Sequence, residues 1–222
     1  MARPRRLDPE VMREQIIAAA REILRDNDGS ALTARALATE AGMPASAIYR
    51  IFPTMGDVFM ALNQATFAEL DVLFDGLPQD RTPYERLLTL AQGYMGFMRS
   101  NPSLWHALFA GERRKGDYPA WYLQAIGKLM KRLAALIAEN CPGLSQPAAE
   151  EAAGRLYVLA HGAISLELDG RLELITPLSG QELALTAMRS LLAELRREVA
   201  AGAGAAKPPV PSPRPEPVPH PQ

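Results

Sequence analysis

Apolar residues recur every three or four positions along most of the chain, a spacing that places them on one face of an α-helix. The first run follows Asp8-Pro9, where a capping side chain precedes a proline whose missing N–H costs nothing in the first turn. Later runs are separated by proline, glycine and capping residues. They predict helices at about 8–25, 33–40, 44–50, 54–74, 82–100, 101–110, 117–139, 145–168 and 179–199. No convincing alternating β-branched run appears, so we expect an all-α fold of about nine helices.

The segment at 32–52 has a pattern of its own. Two short helices are joined at Gly42, where the turn favours a residue that tolerates positive φ. Their small shared core would consist of Leu37, Ala38, Ala41, Met43, Ala47 and Ile48. The second helix would expose Ala45, Ser46 and Tyr49, and such a helix fits the major groove of B-DNA. An ordinary helical hairpin has the same spacing, so the pattern alone leaves both interpretations open.

Charge gives no independent support for nucleic-acid binding. The net charge is −1, and in the first sixty residues eight arginines face eight acidic residues. The single cysteine, Cys141, excludes an internal disulfide. No window reaches eighteen uncharged apolar residues, and the basic start lacks the apolar stretch of a signal peptide. We therefore expect a cytoplasmic protein without a membrane span.

The N-terminal region resembles the DNA-binding domain of TetR-like bacterial transcription regulators. The family's Ile-x-x-Ala-Ala helix matches residues 16–20, and its following glycine matches Gly29. Its Leu-Thr-x-x-x-Leu-Ala-x-x-Ala-Gly segment matches 32–42, and its Leu-Tyr-x-x-Phe ending is similar to 48–52. The resemblance covers residues 8–62 in order and spacing, and it implies a helix-turn-helix domain that reads operator DNA.

The resemblance also implies roles for individual residues. Thr33 would cap the first helix of the motif, Arg35 would meet a base edge or the backbone, and Tyr49 would bind a phosphate through its hydroxyl. The candidate DNA contacts are Arg3, Arg5, Arg6, Thr33, Arg35, Ala45, Ser46, Tyr49 and Arg50. Two departures reduce phosphate binding: Met55 stands where the family usually has lysine, and Ile51 where it often has histidine or tyrosine. The arginine arm at 3–6 and dimerisation would compensate.

An aromatic and methionine-rich region occupies the middle of the chain. Core packing is the default interpretation of such residues at helical spacing, but in a TetR-like protein the same helices surround an effector cavity. The candidate ligand-binding residues are Phe97, Trp105, His106, Phe109, Trp121, Tyr157 and His161. The segment 157–170 also resembles the C-terminal domains named for a Trp-His-Gly signature, although Ala160 replaces the tryptophan.

The last two long helices, at about 145–168 and 180–199, would form the homodimer interface by the same resemblance. We expect their interface faces to contain Ala148, Ala152, Ala153, Leu156, Leu159, Ala160 and Ala163, and Leu183, Leu185, Ala187, Met188, Leu191, Leu192 and Leu195. An amphipathic last helix that packs only within its own chain is the alternative. The expected parts are a helix-turn-helix domain with its basic arm at 1–55, a helical ligand-sensing and dimerisation domain at 56–200, and a Pro-rich disordered tail at 201–222.

No pattern points to catalysis. The chain has no glycine-rich phosphate loop, no histidine pair at metal spacing and no nucleophile elbow, so we expect no enzyme activity, cofactor or metal site. The expected function is a transcription repressor that a small apolar or amphipathic molecule releases from double-stranded operator DNA. The alternative is an all-helical dimeric interaction protein that has lost sequence-specific DNA binding.

Overall fold

The computed structural model describes residues 8–25, 27, 29–109 and 118–204. Within these ranges it contains helices and no strand, which confirms the all-α prediction. The nine α-helices are α1 (Pro9–Arg25), α2 (Ala34–Glu40), α3 (Ala45–Ile51), α4 (Met55–Asp75), α5 (Pro83–Ser100), α6 (Pro102–Phe109), α7 (Ala120–Asn140), α8 (Gln146–Leu168) and α9 (Gly180–Gly204). Short 3₁₀ turns at Gly29–Ala31 and Leu172–Leu174 join α1 to α2 and α8 to α9.

Local capping explains why these helices begin where the sequence predicts. The Thr33 hydroxyl accepts a hydrogen bond from the Ala36 amide at 3.2 Å, which satisfies one of the unpaired N–H groups at the start of α2. Ser179 and Glu182 form the expected reciprocal capping box before α9, through bonds of 2.8 and 3.2 Å. Gly42 has φ +62°, so the turn between α2 and α3 needs the positive φ that glycine allows.

The N-terminal helices share one core. Ile16, Leu37, Ile48 and Phe52 are almost completely buried there and join α1, α2 and α3. The first two turns of α4 belong to the same core through Val58, Ala61 and Leu62. The domain boundary expected near residue 55 stays a prediction, but the N-terminal packing continues beyond it.

A second core joins α5, α7, α8 and α9. Its buried residues include Leu87, Ala134, Ile137, Ala153 and Leu192. The distal part of α4 packs against it through Leu73 and Phe74. Helix α4 therefore takes part in both cores, so a change in one can reach the other through it.

The expected interface faces of α8 and α9 need correction. Ala152, Ala153 and Leu156 of α8 are buried against Leu191 and Leu195 of α9 and their neighbours, because the two helices pack on each other and on α7 within one chain. The apolar side chains that α8 leaves exposed are Val158 (65%), Leu159 (49%) and Leu166 (36%), and of these only Leu159 belonged to the expected face.

The end of α9 also differs from expectation. The helix continues to Gly204, four residues into the segment expected to be a disordered tail. The rest of that tail, 205–222, and the arm residues Arg3, Arg5 and Arg6 lie outside the described residues. In the part of the chain that the structure describes, no helix is both long and apolar enough to cross a membrane.

Candidate functional site

Helix α3 presents a polar and small-residue surface. Ala45, Ser46 and Tyr49 are exposed, as the sequence predicts, while Ala47 and Ile48 on its other side are buried. The Tyr49 side chain is 46% exposed. Because Ile48 is buried in the N-terminal core, α3 keeps these residues on its solvent face, and a single α-helix is of a size that the major groove of B-DNA admits.

Two other candidate residues lie on α2 beside this surface. Thr33 and Arg35 are both exposed, and the Thr33 hydroxyl caps the helix as described above. Arg50, at the end of α3, is exposed but turned towards α1, where its Nη2 lies 3.4 Å from the sulfur of Met12. The structure thus brings Thr33, Arg35 and the α3 residues to one end of the molecule.

The two departures from the family pattern have a packing explanation. Ile51 and Met55 are partly buried, and both pack against the N-terminal core. At these positions the chain therefore uses apolar contact in place of a charged or hydrogen-bonding group.

Contacts between α1 and α4 were not foreseen from the sequence. Arg21 forms an ion pair with Glu69, and Arg13 lies over the Phe52 ring with its guanidinium carbon 5.0 Å from the centroid. Arg13 also lies 3.5 Å from the Gln64 side-chain oxygen. The partners are about forty to fifty residues apart, so no local pattern reveals them. Phe52 precedes α4, and the contacts with Glu69 and Gln64 fix α4 to α1.

A cavity of about 120 Å³ lies between α4, α5, α7, α8 and α9, with α6 at one end. Among the described residues, every side chain that lines it is apolar or aromatic. Six aromatic rings take part: Phe67, Phe74, Tyr94, Trp105, Tyr122 and Tyr157. An apolar, concave site of this kind is suited to a small uncharged molecule.

Of the candidate ligand residues, Trp105 and Tyr157 line the cavity. The His161 ring lies behind them, with its centroid 4.6 Å from that of Trp105 and 5.3 Å from that of Tyr157. His106 points elsewhere: its side chain is exposed, and its Nε2 lies 3.3 Å from a carboxylate oxygen of Asp169.

Three of the candidate ligand-binding residues are not among the described residues that line the cavity. Phe97 is partly buried on α5, away from the lining residues, and Trp121 packs against the Tyr122 ring at 5.7 Å. The Phe109 side chain lies outside the described residues. Sequence reasoning missed Phe67 and Phe74, which α4 contributes. Their spacing of seven residues, two helical turns on one face, is the signal that would have found them.

Neutral polar groups meet at one part of the cavity wall. The Tyr94 hydroxyl lies 3.4 Å from His161 Nδ1 and close to the Tyr157 hydroxyl, and the two tyrosine ring centroids are 6.2 Å apart. Burial raises the pKa of Tyr94 well above its ordinary value and also raises the pKa of Tyr157, whereas burial lowers the pKa of His161. All three groups are therefore uncharged near neutral pH.

An ionic cluster closes the distal end of α4 onto α7. Arg132 donates to Asp71 at 2.6 Å and to Asp75 at 2.7 Å, and Lys128 forms an ion pair with Asp71. The Arg132 guanidinium also lies 4.7 Å from the centre of the Phe74 ring, which lines the cavity. Partial burial would raise the pKa of Asp71, but bonds to Lys128 and Arg132 outweigh it, so that the pKa is lowered.

Comparison with protein families gives two matches. Residues 16–62 match the model of bacterial regulatory proteins of the tetR family. Residues 87–191 match the model of tetracyclin repressor-like C-terminal domains. Together the two models cover more than half of the chain, and the first of them covers α2, α3 and most of α1.

Individual relatives are more distant. The chain is 29% identical to the nucleoid occlusion factor SlmA of Vibrio cholerae over 115 residues, a match that spans 47% of this chain and 57% of that protein. A Rhodococcus protein of unknown function superposes with a TM-score of 0.69 at 19% identity, covering 88% of this chain and all of the other. A tetR-family transcriptional regulator from Streptomyces coelicolor superposes with a TM-score of 0.65 at 19% identity, covering 86% and 89%.

Proposed function

The chain belongs to the tetR family of bacterial regulatory proteins, and from that premise we propose that it is a homodimeric repressor which a small uncharged molecule releases from operator DNA. It is a ligand-responsive, DNA-binding transcription regulator, and proteins of this family act by binding DNA and not by catalysis. The observation that supports our proposal most strongly is the double role of α4, which packs in the N-terminal core at one end and walls the cavity at the other.

In the proposed complex α3 enters the major groove of the operator. Ser46 and Tyr49 supply its exposed hydrogen-bonding groups, and Ala45 offers a methyl contact to thymine. Thr33, Arg35 and Arg50 meet the backbone or base edges beside it, and Arg3, Arg5 and Arg6 add phosphate contacts or enter the minor groove. Because these groups are few, one subunit alone binds weakly.

Dimerisation therefore decides operator affinity. We propose that the interface uses α8 and α9, with the exposed side of α8 at its centre. That side carries Val158, Leu159 and Leu166, which are large apolar residues that a monomer would leave in water. A two-fold axis through this interface would place the two copies of α3 about one helical turn of DNA, roughly 34–36 Å, apart.

Ligand binding would act through α4. Phe67 and Phe74 of α4 line the cavity, and Arg21 and Arg13 of α1 tie the same helix to the DNA-binding end. A ligand that pushes α4 outward would thus move α1–α3 with it and change the distance between the two copies of α3. The ligand releases DNA only if it binds this displaced conformation more tightly than the DNA-bound one.

The size of the cavity fits this mechanism. Pockets for drug-sized ligands usually measure about 300–1,000 Å³. The cavity of about 120 Å³ is smaller, so even a single substituted ring has to displace the surrounding helices in order to enter. Since the proposed partner is operator DNA, the proposed compartment is the bacterial cytoplasm.

Repression is tested by joining the DNA upstream of this gene to a reporter. We expect reporter expression to rise when the gene is deleted and to fall again when the wild-type gene is restored. Restoring a gene that encodes Tyr49→Phe should give incomplete repression. Unchanged or lower expression after deletion would contradict a repressor acting at that site.

A further inference from the structure

We propose that the cavity binds a neutral phenol, a molecule with one aromatic ring and one hydroxyl group. The ring packs among the aromatic side chains of the wall, and the hydroxyl forms a hydrogen bond with the neighbouring hydroxyls of Tyr94 and Tyr157. The inference rests on the proposed role of the cavity as the effector site, and it specifies the chemical class of the effector. Four features of the wall carry it, and they concern charge, size, ring packing and hydrogen bonding.

The charge of the ligand follows from the lining. No Asp, Glu, Lys or Arg side chain is among the described residues that line the cavity. The ionic groups nearest on α4 and α7, Asp71 and Arg132, bond to each other on the outer side of Phe74. A carboxylate or an ammonium group would lose its hydration on entry and find no partner, which makes its burial very costly.

The size of the ligand follows from the volume. The cavity measures about 120 Å³. An engineered apolar cavity of roughly 150 Å³ binds benzene and otherwise stays dry. The present cavity is smaller than that, and a substituted ring is larger than benzene, so such a ring enters only when the wall, including α4, moves outward.

The walls favour an aromatic ring over an aliphatic chain of the same volume. Phe67 and Tyr122 meet edge to face with their centroids 5.0 Å apart, and Tyr94 and Trp105 do so at 5.6 Å. All four rings line the cavity. A ligand ring placed between them continues the same edge-to-face packing, which contributes beyond the burial of apolar area.

The hydroxyl group of the ligand follows from the polar groups. Tyr94 has a single hydroxyl hydrogen, and both His161 Nδ1, at 3.4 Å, and the Tyr157 hydroxyl lie close to its oxygen. A bond between the two tyrosines would use only one of the three hydrogen-bonding positions of the Tyr157 hydroxyl. Tyr157 lines the cavity, so a ligand hydroxyl can join this chain of neutral groups as donor or acceptor.

Calorimetric titration of the purified full-length protein, without DNA, tests the inference with three probes that share a methylbenzene skeleton. They are p-cresol, toluene and p-toluate. We expect p-cresol to bind, toluene to bind about three- to tenfold more weakly because it lacks one hydrogen bond, and p-toluate to show no binding. Equal binding of p-toluate, equal affinity for p-cresol and toluene, or no binding of any probe would overturn the inference.

Variants assign the hydroxyl contact. Tyr157→Phe should reduce p-cresol affinity to about that of toluene and leave toluene affinity unchanged. Tyr84→Phe makes the same chemical change on α5 outside the cavity and should alter neither. Tyr94→Phe removes the other hydroxyl. If Tyr157→Phe fails to fold, this second variant still tests whether the tyrosine hydroxyls bind the hydroxyl of p-cresol. If the folded variants at 94 and 157 both retain the preference for p-cresol, the assigned contact is wrong.

The repressor proposal and the phenol proposal can be contradicted independently of each other. Because the titrations contain no DNA, p-cresol binding supports the inference whether or not the protein represses its promoter. If p-cresol binds but the reporter is not repressed, the repressor proposal is contradicted and the cavity assignment stands. If the reporter is repressed but no probe binds, the phenol inference is overturned and the repressor proposal stands.

Discussion

Arg132 of α7 donates a hydrogen bond to the Asp71 carboxylate of α4 at 2.6 Å, while its guanidinium covers the Phe74 ring that lines the cavity. The ion pair therefore lies directly outside the part of the cavity wall that the proposed ligand would displace. At the other side of the same helix, Glu69 pairs with Arg21 of α1. Helix α4 is thus fixed to the sensing helices and to the DNA-binding helices by charged contacts only two residues apart.

Replacing Asp71 with asparagine should destabilise the protein by about 1 kcal/mol at neutral pH, since the side chain is only partly exposed and has two cationic partners. The folded-state pKa of Asp71 is lowered, so its contribution is present above the unfolded-state pKa and is lost as pH falls through the folded-state pKa. Urea unfolding should therefore show a difference from wild type at pH 7 that shrinks below about pH 4.

Asp80→Asn is the control for that experiment, because Asp80 is exposed in the turn before α5. Its unfolding free energy should stay within about 0.5 kcal/mol of wild type. An Asp71→Asn difference that is absent at pH 7, or that grows on acidification, would contradict the assigned ion pairs.

Replacing Tyr49 with phenylalanine should weaken operator binding about two- to tenfold, because one hydrogen bond to a phosphate is lost. Tyr49 is 46% exposed and lies outside both cores, so the melting temperature should not change. Fluorescence anisotropy with labelled operator DNA measures the affinity, and Tyr84→Phe provides the same change far from α3. Unaltered affinity would show that the Tyr49 hydroxyl has no role in the complex.

Replacing Leu159 with glutamate should convert the proposed dimer into monomers. The side chain is 49% exposed on α8, and two carboxylates facing each other across a two-fold axis would repel and lose hydration. Light scattering coupled to size exclusion reports the mass, and operator affinity should fall with it. Leu123→Glu, at a 58% exposed leucine of α7, should leave the mass unchanged. A Leu159→Glu protein that remains dimeric would rule out this interface.

Replacing Gly180 with alanine should destabilise the protein by about 1–3 kcal/mol. A Cβ there would lie 2.8 Å from the Ala163 carbonyl oxygen and would collide with the Glu167 carboxylate, which accepts from the Gly180 amide at 2.7 Å and pairs with Arg99. Gly127→Ala in α7 is the matched control: its Cβ meets nothing within 4 Å, so helix propensity should make it neutral or stabilising. Equal effects in thermal unfolding would refute the packing argument.

The helices were predictable because their ends depend on local chemistry. Thr33, Gly42 and the Ser179–Glu182 capping box act on backbone groups within a few residues, so the sequence contains the whole signal. The exposed residues of α3 followed from the spacing around Ile48 for the same reason.

The choice of face on α8 and α9 was not predictable in this way. Both sides of α8 carry apolar residues, and only the packing of α9 and α7 decides that Ala153 is buried while Val158 is exposed. The two histidines show the same limit: His161 lies behind the cavity wall and His106 pairs with Asp169 at the surface, although each follows or interrupts an apolar stretch. The wall contributed by Phe67 and Phe74 depends on where α4 lies, which is a tertiary relationship.

The central claim is that this chain, as a dimer, binds one specific DNA site. The most direct test is a DNase footprint of the wild-type full-length protein on the DNA upstream of its own gene. We predict a single protected region with two-fold symmetry, whose half-site centres lie about 10–10.5 base pairs, or a multiple of that spacing, apart. The absence of any protected region, or a uniform protection that follows no sequence, would contradict the claim.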